Sequence, residues 1–169
     1  MTAGQAVGPA AGRIGNLAGF AVCAALLGYA LYSEHVLGLD PCPLCILQRI
    51  AVFTTALVFL GAALHRARGG AALAWGTIIA LVAAVGAAIA ARHVWITAQP
   101  PGTVAECGAS LDYMLEVLPL KEVLAKVLTG SGECGKIDWR FLGLSMPAWV
   151  LVWMLVLGAW GLFVNLRRR

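Results

Sequence analysis

Residues 42–64 read CPLCILQRIAVFTTALVFLGAAL, a pair of cysteines leading into an apolar run whose only charge is Arg49. The run is about as long as the ~20 residues that a helix needs to cross the hydrocarbon core of a bilayer. The proline after the first cysteine suits the first turn of a helix, because proline lacks an N–H that this turn would leave unpaired. The stretch therefore predicts a membrane-spanning helix that begins at two cysteines.

Three further apolar runs have the same character, and helices are expected because backbone polar groups must be satisfied internally in lipid. The four predicted spans cover approximately residues 14–36, 45–64, 71–97 and 145–166. Of the 169 residues, 61% are hydrophobic and 12% charged, whereas soluble domains are nearer half apolar and a quarter charged. We expect one all-α domain over the whole chain, an integral membrane four-helix bundle without the basic soluble face that nucleic-acid binding requires.

Charge predicts the orientation of the bundle. One side has six basic and no acidic residues, namely Arg13, Arg66, Arg68, Arg167, Arg168 and Arg169. The other side has Glu34 and Asp40 beside a short loop (residues 37–44), and six acidic against four basic residues in a long loop (residues 98–144). Since basic loops stay in the cytoplasm, both termini are expected there and both cysteine-bearing loops on the opposite side.

The five cysteines divide into one inside a span and four in or beside the outer loops. Cys23 lies within the first apolar run and is interpreted as a small apolar filler. The others are Cys42, Cys45, Cys107 and Cys134. An even number of loop cysteines indicates disulfides and hence an oxidising compartment, in agreement with the orientation that the charges predict.

The Cys42-Pro43-Leu44-Cys45 motif is the strongest chemical signal. Two cysteines three residues apart at a helix start can close a disulfide, and the helix N-terminus stabilises the thiolate that thiol–disulfide exchange requires. A structural disulfide is one alternative, although so short a ring constrains little of the unfolded chain. Zinc is another, because Cys107 and Cys134 could complete a set of four ligands. We expect a redox-active pair and no metal.

Two polar residues are candidates for the same site. Arg49 lies four residues after Cys45 and therefore on the same helix face, at a depth where an unpaired charge is costly and usually functional. It could stabilise a thiolate and polarise a carbonyl acceptor, or be an arginine whose side chain reaches the headgroups. His93, at the end of the third span, should reach the level of Cys45 and could supply a hydrogen bond or a proton, although an ordinary interfacial histidine fits equally well.

The long outer loop predicts a short amphipathic helix. Its apolar positions recur at helical spacing, at Leu120, Val123, Leu124, Val127 and Leu128. Pro119 and Gly130 supply start and stop signals. Such a helix would lie on the membrane surface, or else pack on the other loop. Cys107 and Cys134 flank it, and a disulfide between them could be structural or could act in a relay with the first pair.

In combination, these motifs resemble the DsbB family of disulfide bond formation proteins. The resemblance rests on Pro41-Cys42-Pro43-Leu44-Cys45 with Gln48-Arg49, on the Cys107 and Cys134 pair, and on residues 139–147, WRFLGLSMP. It covers all four spans. It implies an enzyme of the bacterial inner membrane, with its active site on the periplasmic side, that oxidises a DsbA-like thioredoxin-fold protein and passes two electrons to membrane quinone.

The resemblance also implies a role for each site residue. Cys107 would be attacked by the thiolate of the partner, and the released Cys134 would then attack Cys42. Cys45 would be left as a thiolate facing the quinone, ubiquinone or menaquinone. Arg49 corresponds to an arginine of the family's quinone site and His93 to a histidine near it. Quinone is apolar and lives in the bilayer, and Cys45 is the cysteine nearest to it in the sequence pattern.

Other functions fit parts of this pattern. A family member could serve a dedicated partner with the same chemistry, and a vitamin-K-epoxide-reductase-like enzyme also pairs a helix-start cysteine motif with quinone. A four-helix scaffold with structural loop disulfides belongs to a different class. Redox-inert cysteines and no bound quinone would favour the scaffold.

The charge distribution predicts that a reporter active only in the periplasm works when fused after Gly102 and fails when fused at Arg169. The measurement is reporter activity at matched expression of the two fusions. Activity at Arg169 together with none at Gly102 would refute the orientation.

Overall fold

The computed structural model describes residues 9–99, 111–129 and 139–167 of the chain. Helices and one short hairpin make up this part of the protein. In chain order they are α1 (Pro9–His35), α2 (Pro43–His65), α3 (Gly70–Thr97), α4 (Leu111–Val117), α5 (Leu120–Thr129), β1 (Arg140–Phe141), β2 (Leu144–Ser145) and α6 (Met146–Leu166).

Four of these helices, α1, α2, α3 and α6, are long and apolar enough to cross a membrane. They coincide with the four predicted spans, and the prediction of an all-α four-helix membrane bundle is confirmed. The largest difference is at α1, which begins at Pro9 rather than at residue 14. The orientation of the bundle in the membrane stays a prediction.

The cysteine motif forms the beginning of α2. Cys42 is the N-cap residue, with an extended backbone (φ −67°, ψ 163°), and its sulfur accepts a hydrogen bond from the backbone N–H of Cys45 at 3.3 Å. Pro43 occupies the first turn, as the sequence predicts. The sulfur of Cys42 thus satisfies one of the N–H groups that the start of a helix leaves without a partner. Cys42 therefore both caps the helix and provides a reactive thiol.

Small residues let the four helices pack closely. The buried core draws on all of them and includes Cys23, Val52, Phe59, Ile79 and Met154. A Cβ atom on Gly86 would lie 2.7 Å from the Sδ atom of Met154, and one on Gly19 would lie 2.6 Å from the ring of Phe59. Because lipid is as apolar as a leucine side chain, such close contact is what holds membrane helices together.

Two buried asparagines join α1 to α6 near the chain termini. Asn16 donates to Oδ1 of Asn165 at 3.2 Å, and Asn165 donates to Oδ1 of Asn16 at 3.0 Å. Asn165 also donates to the carbonyl of Gly161 at 2.8 Å. Since an unpaired amide is costly in an apolar interior, this reciprocal pair of hydrogen bonds favours one register of α1 against α6.

The amphipathic stretch of the long loop forms α5, and its apolar side packs on the bundle. Val123 and Val127 belong to a buried cluster with Leu44 of α2, Ile96 of α3 and Met114 of α4. Arg92 of α3 donates through Nε to the carbonyl of Leu128 at 2.9 Å. The helix therefore rests on the ends of α2 and α3, next to the first outer loop. Leu120 and Leu128 of this helix stay exposed, and its position on the membrane surface stays a prediction.

A short hairpin precedes α6, where the apolar pattern alone predicts the start of the fourth span. Phe141 pairs with Leu144 across a turn formed by Leu142 and Gly143, whose φ angles are 51° and 81°. Positive φ at both turn positions is typical of a type I′ turn, which suits glycine and is unusual for leucine. Phe141 of this hairpin lines the cavity described below.

Cys23 is fully buried in the core and is absent from that cavity. We expect Cys23→Ala to leave the turnover that the resemblance implies nearly unchanged, because removing one buried sulfur costs only about 1 kcal/mol of packing. The measurement is turnover of the purified variant at matched expression. A loss beyond about tenfold, equivalent to more than 1.4 kcal/mol in the rate, would show that Cys23 has a role in the chemistry.

Candidate functional site

A cavity of about 520 Å³ opens between the helices at the end of the bundle where α2 begins and α3 ends. Its volume is within the range of roughly 300–1,000 Å³ that is usual for small-molecule sites. Residues of α1, α2, α3, α6 and the hairpin line it. The polar lining includes four of the predicted site residues, Cys42, Cys45, Arg49 and His93. The structure therefore brings together every predicted site residue that it describes.

The two cysteines of the motif face each other as thiols. Their Sγ atoms lie 3.0 Å apart, and neither is in a disulfide. Both side chains are partly exposed and line the cavity. A dithiol this close can form a disulfide by small side-chain rotations alone, because Cα positions one helical turn apart already suit the bond. Cys107 and Cys134, the other predicted pair, lie outside the described residues, and their role stays a prediction.

His93 lies beside the cysteine at the helix cap. Its Nε2 atom is 3.8 Å from Sγ of Cys42, and its Nδ1 atom is 2.8 Å from Nε2 of Gln48. With the Gln48 amide in this orientation, Gln48 donates to Nδ1, so Nε2 has the proton and points it at the sulfur. The imidazole is therefore placed to stabilise negative charge on Cys42. The sequence predicts His93 at the level of Cys45, and a ring nitrogen of His93 lies within 4.8 Å of the sulfurs of both cysteines.

Arg49 faces the cavity with its charge already paired. Its guanidinium forms an ion pair with the carboxylate of Glu34, and its second terminal nitrogen donates to the carbonyl of Ala30 at 3.1 Å. The arginine and glutamate side chains are 22% and 27% exposed, respectively. An arginine held by two groups of α1 is oriented by the protein rather than extended toward headgroups. The fixed geometry favours the interpretation of Arg49 as a site residue.

Aromatic rings form one wall of the cavity. The rings of Trp139 and Phe141 are stacked with centroids 6.0 Å apart, and Phe141 lies 6.0 Å from Trp149. Tyr29 of α1 continues the row, 5.8 Å from Trp139. Trp149 donates through Nε1 to the carbonyl of Phe141 at 3.1 Å, which attaches the hairpin to α6. These rings add flat apolar surface to a cavity that the two thiols and Arg49 also line.

Gln48, Glu34 and the aromatic wall were not identified as site residues from the sequence. Gln48 has a signal there, since it is a polar residue inside a span, three positions after Cys45. Glu34 is the only acidic residue of the first span. A charged residue inside a span usually pairs with an opposite charge, and Arg49 at the start of the next span is the nearest candidate. The aromatic wall has no comparable signal, because tryptophans near a span end usually indicate the membrane interface.

Two thiols at the start of a helix lie beside a histidine and an arginine, at one end of a four-helix membrane bundle. This fold and site define a membrane-bound thiol–disulfide oxidoreductase. Comparison with known proteins agrees with this class. The family model described as disulfide bond formation protein DsbB matches residues 12–164. The chain belongs to the DsbB family and is accordingly a disulfide-forming oxidoreductase of the bacterial inner membrane.

Curated relatives support the assignment over nearly the whole chain. Disulfide bond formation protein B of Xanthomonas campestris pv. campestris is 51% identical over 154 residues, which cover 90% of each chain. The protein of the same name from Methylococcus capsulatus is 52% identical over 146 residues, 86% of this chain and 89% of the relative. That of Marinobacter nauticus is 50% identical over 149 residues, 88% and 89% of the two chains. No solved structure matches the chain.

The contact between Gln48 and His93 predicts the reactivity of Cys42. We expect Gln48→Leu to slow alkylation of Cys42 about fivefold, because His93 loses the hydrogen bond, worth about 1 kcal/mol, that fixes its Nε2–H toward the sulfur. The measurement is the rate of iodoacetamide labelling at Cys42, followed by mass spectrometry. Thr55→Val is the matched control, since Thr55 is buried on the same helix and bonds only its own backbone at Ala51. Equal slowing in both variants would contradict the assignment.

Proposed function

We propose that this protein is a protein-disulfide:quinone oxidoreductase that reoxidises a periplasmic DsbA-like dithiol oxidase and passes the electrons to membrane quinone. One observation carries the proposal. The dithiol of Cys42 and Cys45, the cation of Arg49 and a wall of aromatic rings all line the same cavity within the membrane bundle. Such a combination suits an enzyme that transfers electrons from a thiol to an apolar acceptor.

The residues present fit a quinone head group. The stacked rings of Trp139 and Phe141 offer a flat apolar surface to a planar conjugated ring. Arg49, which lines the same cavity, supplies hydrogen-bond donors for carbonyl oxygens. When bound, a quinone supplies a two-electron acceptor that takes up two protons. Ubiquinone and menaquinone both have this chemistry.

The residues of the chain have separate tasks around that acceptor. Cys45 presents its sulfur to the cavity one helical turn before Arg49, on the same face of α2. Arg49 places a fixed positive charge where negative charge develops on an acceptor oxygen, in a site with little water. His93, oriented by Gln48, holds a proton beside Cys42. The aromatic wall positions the acceptor and excludes water.

Electrons enter from the outer side in two thiol–disulfide exchanges, each of which has two steps. The partner's thiolate attacks the disulfide of Cys107 and Cys134, forms a mixed disulfide with Cys107 and releases Cys134 as a thiolate. A second thiol of the partner then releases Cys107, leaving the partner oxidised. Cys134 in turn attacks Cys42 in the Cys42–Cys45 disulfide, and Cys45 leaves as a thiolate at the cavity. Attack of Cys107 on Cys134 in the Cys42–Cys134 disulfide restores the outer disulfide, releases Cys42 as a thiolate and leaves the inner pair reduced by two electrons.

The periplasmic placement has independent support from charge and from redox chemistry. The basic residues at the opposite ends of the spans favour a cytoplasmic location for the termini. The cavity lies at the other end of the bundle, next to the start of α2. A partner with an exposed dithiol would reach the cysteines of the long loop from the periplasm, where disulfides persist.

Variants of Arg49 test the quinone assignment. We expect Arg49→Gln to raise the KM for quinone about 10- to 100-fold, the equivalent of one or two charge-assisted hydrogen bonds. Arg49→Lys should do less damage, because it keeps the charge and loses only the planar fork. The measurement is partner-dependent quinone reduction by the purified protein, together with the rate of mixed-disulfide formation at Cys107.

Arg92→Gln is the matched control for this series. Arg92 lies at the same end of the bundle, but its guanidinium bonds Leu128 and covers the ring of Trp95 instead of lining the cavity. The KM of the Arg92→Gln variant for quinone should stay at the wild-type value. Arg49 would be an interfacial anchor instead if Arg49→Gln slowed mixed-disulfide formation and left the quinone KM unchanged. Absence of any partner-dependent quinone reduction in the wild type would overturn the proposed function itself.

A further inference from the structure

Three side chains that bind soft metal ions converge at the start of α2. The sulfurs of Cys42 and Cys45 and a ring nitrogen of His93 all lie within 4.8 Å of one another. Thiolate and imidazole are the ligands that Zn²⁺ prefers in proteins. The geometry therefore presents two thiols and one imidazole, a set of three, without any contribution from Cys107 or Cys134.

The distances are near those of a tetrahedral zinc site. Bond lengths of about 2.3 Å to sulfur and 2.0–2.1 Å to nitrogen put neighbouring ligand atoms roughly 3.8 Å (S to S) and 3.6 Å (S to N) apart. Sγ of Cys42 is 3.8 Å from Nε2 of His93, close to the required spacing. The two sulfurs, at 3.0 Å, need to separate by less than 1 Å, which thiols on the first turn of a helix can do by rotation.

Gln48 supplies the support that a metal-binding histidine needs. Such a histidine coordinates through one nitrogen and donates the N–H of the other to a protein acceptor. Nδ1 of His93 faces the side-chain amide of Gln48 at 2.8 Å, and Gln48 is 4% exposed. Rotating the amide by half a turn presents its oxygen instead of its nitrogen, so Nδ1 becomes the donor and Nε2 is free of its proton. Gln48 can therefore hydrogen-bond to either tautomer of the His93 imidazole.

We propose that the reduced form of this protein has a redox-gated zinc site made of Cys42, Cys45 and His93, with its fourth position toward the cavity. Binding converts two thiols into two zinc-bound thiolates and releases two protons. In the oxidised protein the two thiols have given two electrons and two protons to an acceptor such as a quinone and are joined in a disulfide, so both sulfur ligands are missing and no ion binds. Only the reduced enzyme is therefore open to zinc, and zinc blocks the sulfurs from exchange and from oxidation.

The site itself follows from the geometry of the described residues. Only the consequence for turnover rests on the proposed function. The test accordingly measures binding and thiol reactivity, with no quinone and no partner, so that failure of the quinone proposal and failure of the zinc proposal are distinguishable.

The experiment uses the full chain with Cys107→Ser and Cys134→Ser, which removes the other loop thiols as competing ligands. Co²⁺ replaces Zn²⁺ as the probe, because it adopts the same tetrahedral geometry and absorbs light. The reduced protein should bind one Co²⁺ with the visible bands of a tetrahedral site and the near-ultraviolet band of cobalt–thiolate bonds. Added Zn²⁺ should displace the cobalt, and bound Zn²⁺ should protect Cys42 and Cys45 from alkylation.

Variants distinguish a metal site that includes His93 from metal binding by the two thiols alone. Gln48→Ala should weaken binding about 10- to 100-fold, as loss of support for a ligand histidine does. His93→Gln should abolish the tetrahedral bands, with circular dichroism confirming that the helices are intact. Cys23→Ala, which removes the remaining thiol, should change nothing. The chemically oxidised protein should bind no cobalt.

Three outcomes would overturn the proposal. One is the absence of tetrahedral bands in the reduced protein. Another is a cobalt spectrum that His93→Gln leaves unchanged, which would mean that two thiols alone bind the ion. The third is equal binding by the reduced and the oxidised protein, which would place the ion elsewhere.

Discussion

The start of α2 fixes the position of the reactive groups. Because Cys42 caps the helix and Pro43 begins it, Cys45 falls on the first turn and Arg49 one turn further on the same face. Gln48 comes between them and meets His93 of α3. A shift of this helix start by one residue would turn the whole row away from the cavity. The short motif therefore determines both where the helix begins and what its first two turns present.

Burying these groups in a membrane bundle requires partners for each of them. The guanidinium of Arg49 is paired with Glu34 and bonded to a carbonyl of α1, and the imidazole of His93 is bonded to a buried amide. Both partners come from neighbouring helices, so the polar contacts of the site also join α1 to α2 and α2 to α3. Each of these polar groups is therefore oriented by a partner on a neighbouring helix, which preorganises the site where charge has to be stabilised.

The sequence is sufficient to predict the parts of this arrangement that depend on local pattern. Hydropathy locates the four helices, and the spacing of the motif places Cys45 and Arg49 on one face. The contacts of His93 with Cys42 and Gln48 depend on how α3 packs on α2, which no local pattern encodes. The hairpin is also not predictable from local pattern, because its turn has Leu142 at positive φ, where sequence rules favour glycine. The packing of α5 on the bundle also requires tertiary contacts that amphipathicity leaves open.

The central claim is that the dithiol of Cys42 and Cys45 delivers two electrons to a quinone in the adjoining cavity. Its most direct test is anaerobic mixing of the pre-reduced Cys107→Ser/Cys134→Ser protein with quinone, followed by quinone absorbance and by counting free thiols. A dithiol releases two electrons, so about one quinone should be consumed per protein as a Cys42–Cys45 disulfide forms, and a further Cys45→Ser change should abolish the reaction. Quinone consumption without loss of these two thiols, or loss of the thiols without quinone consumption, would contradict the account.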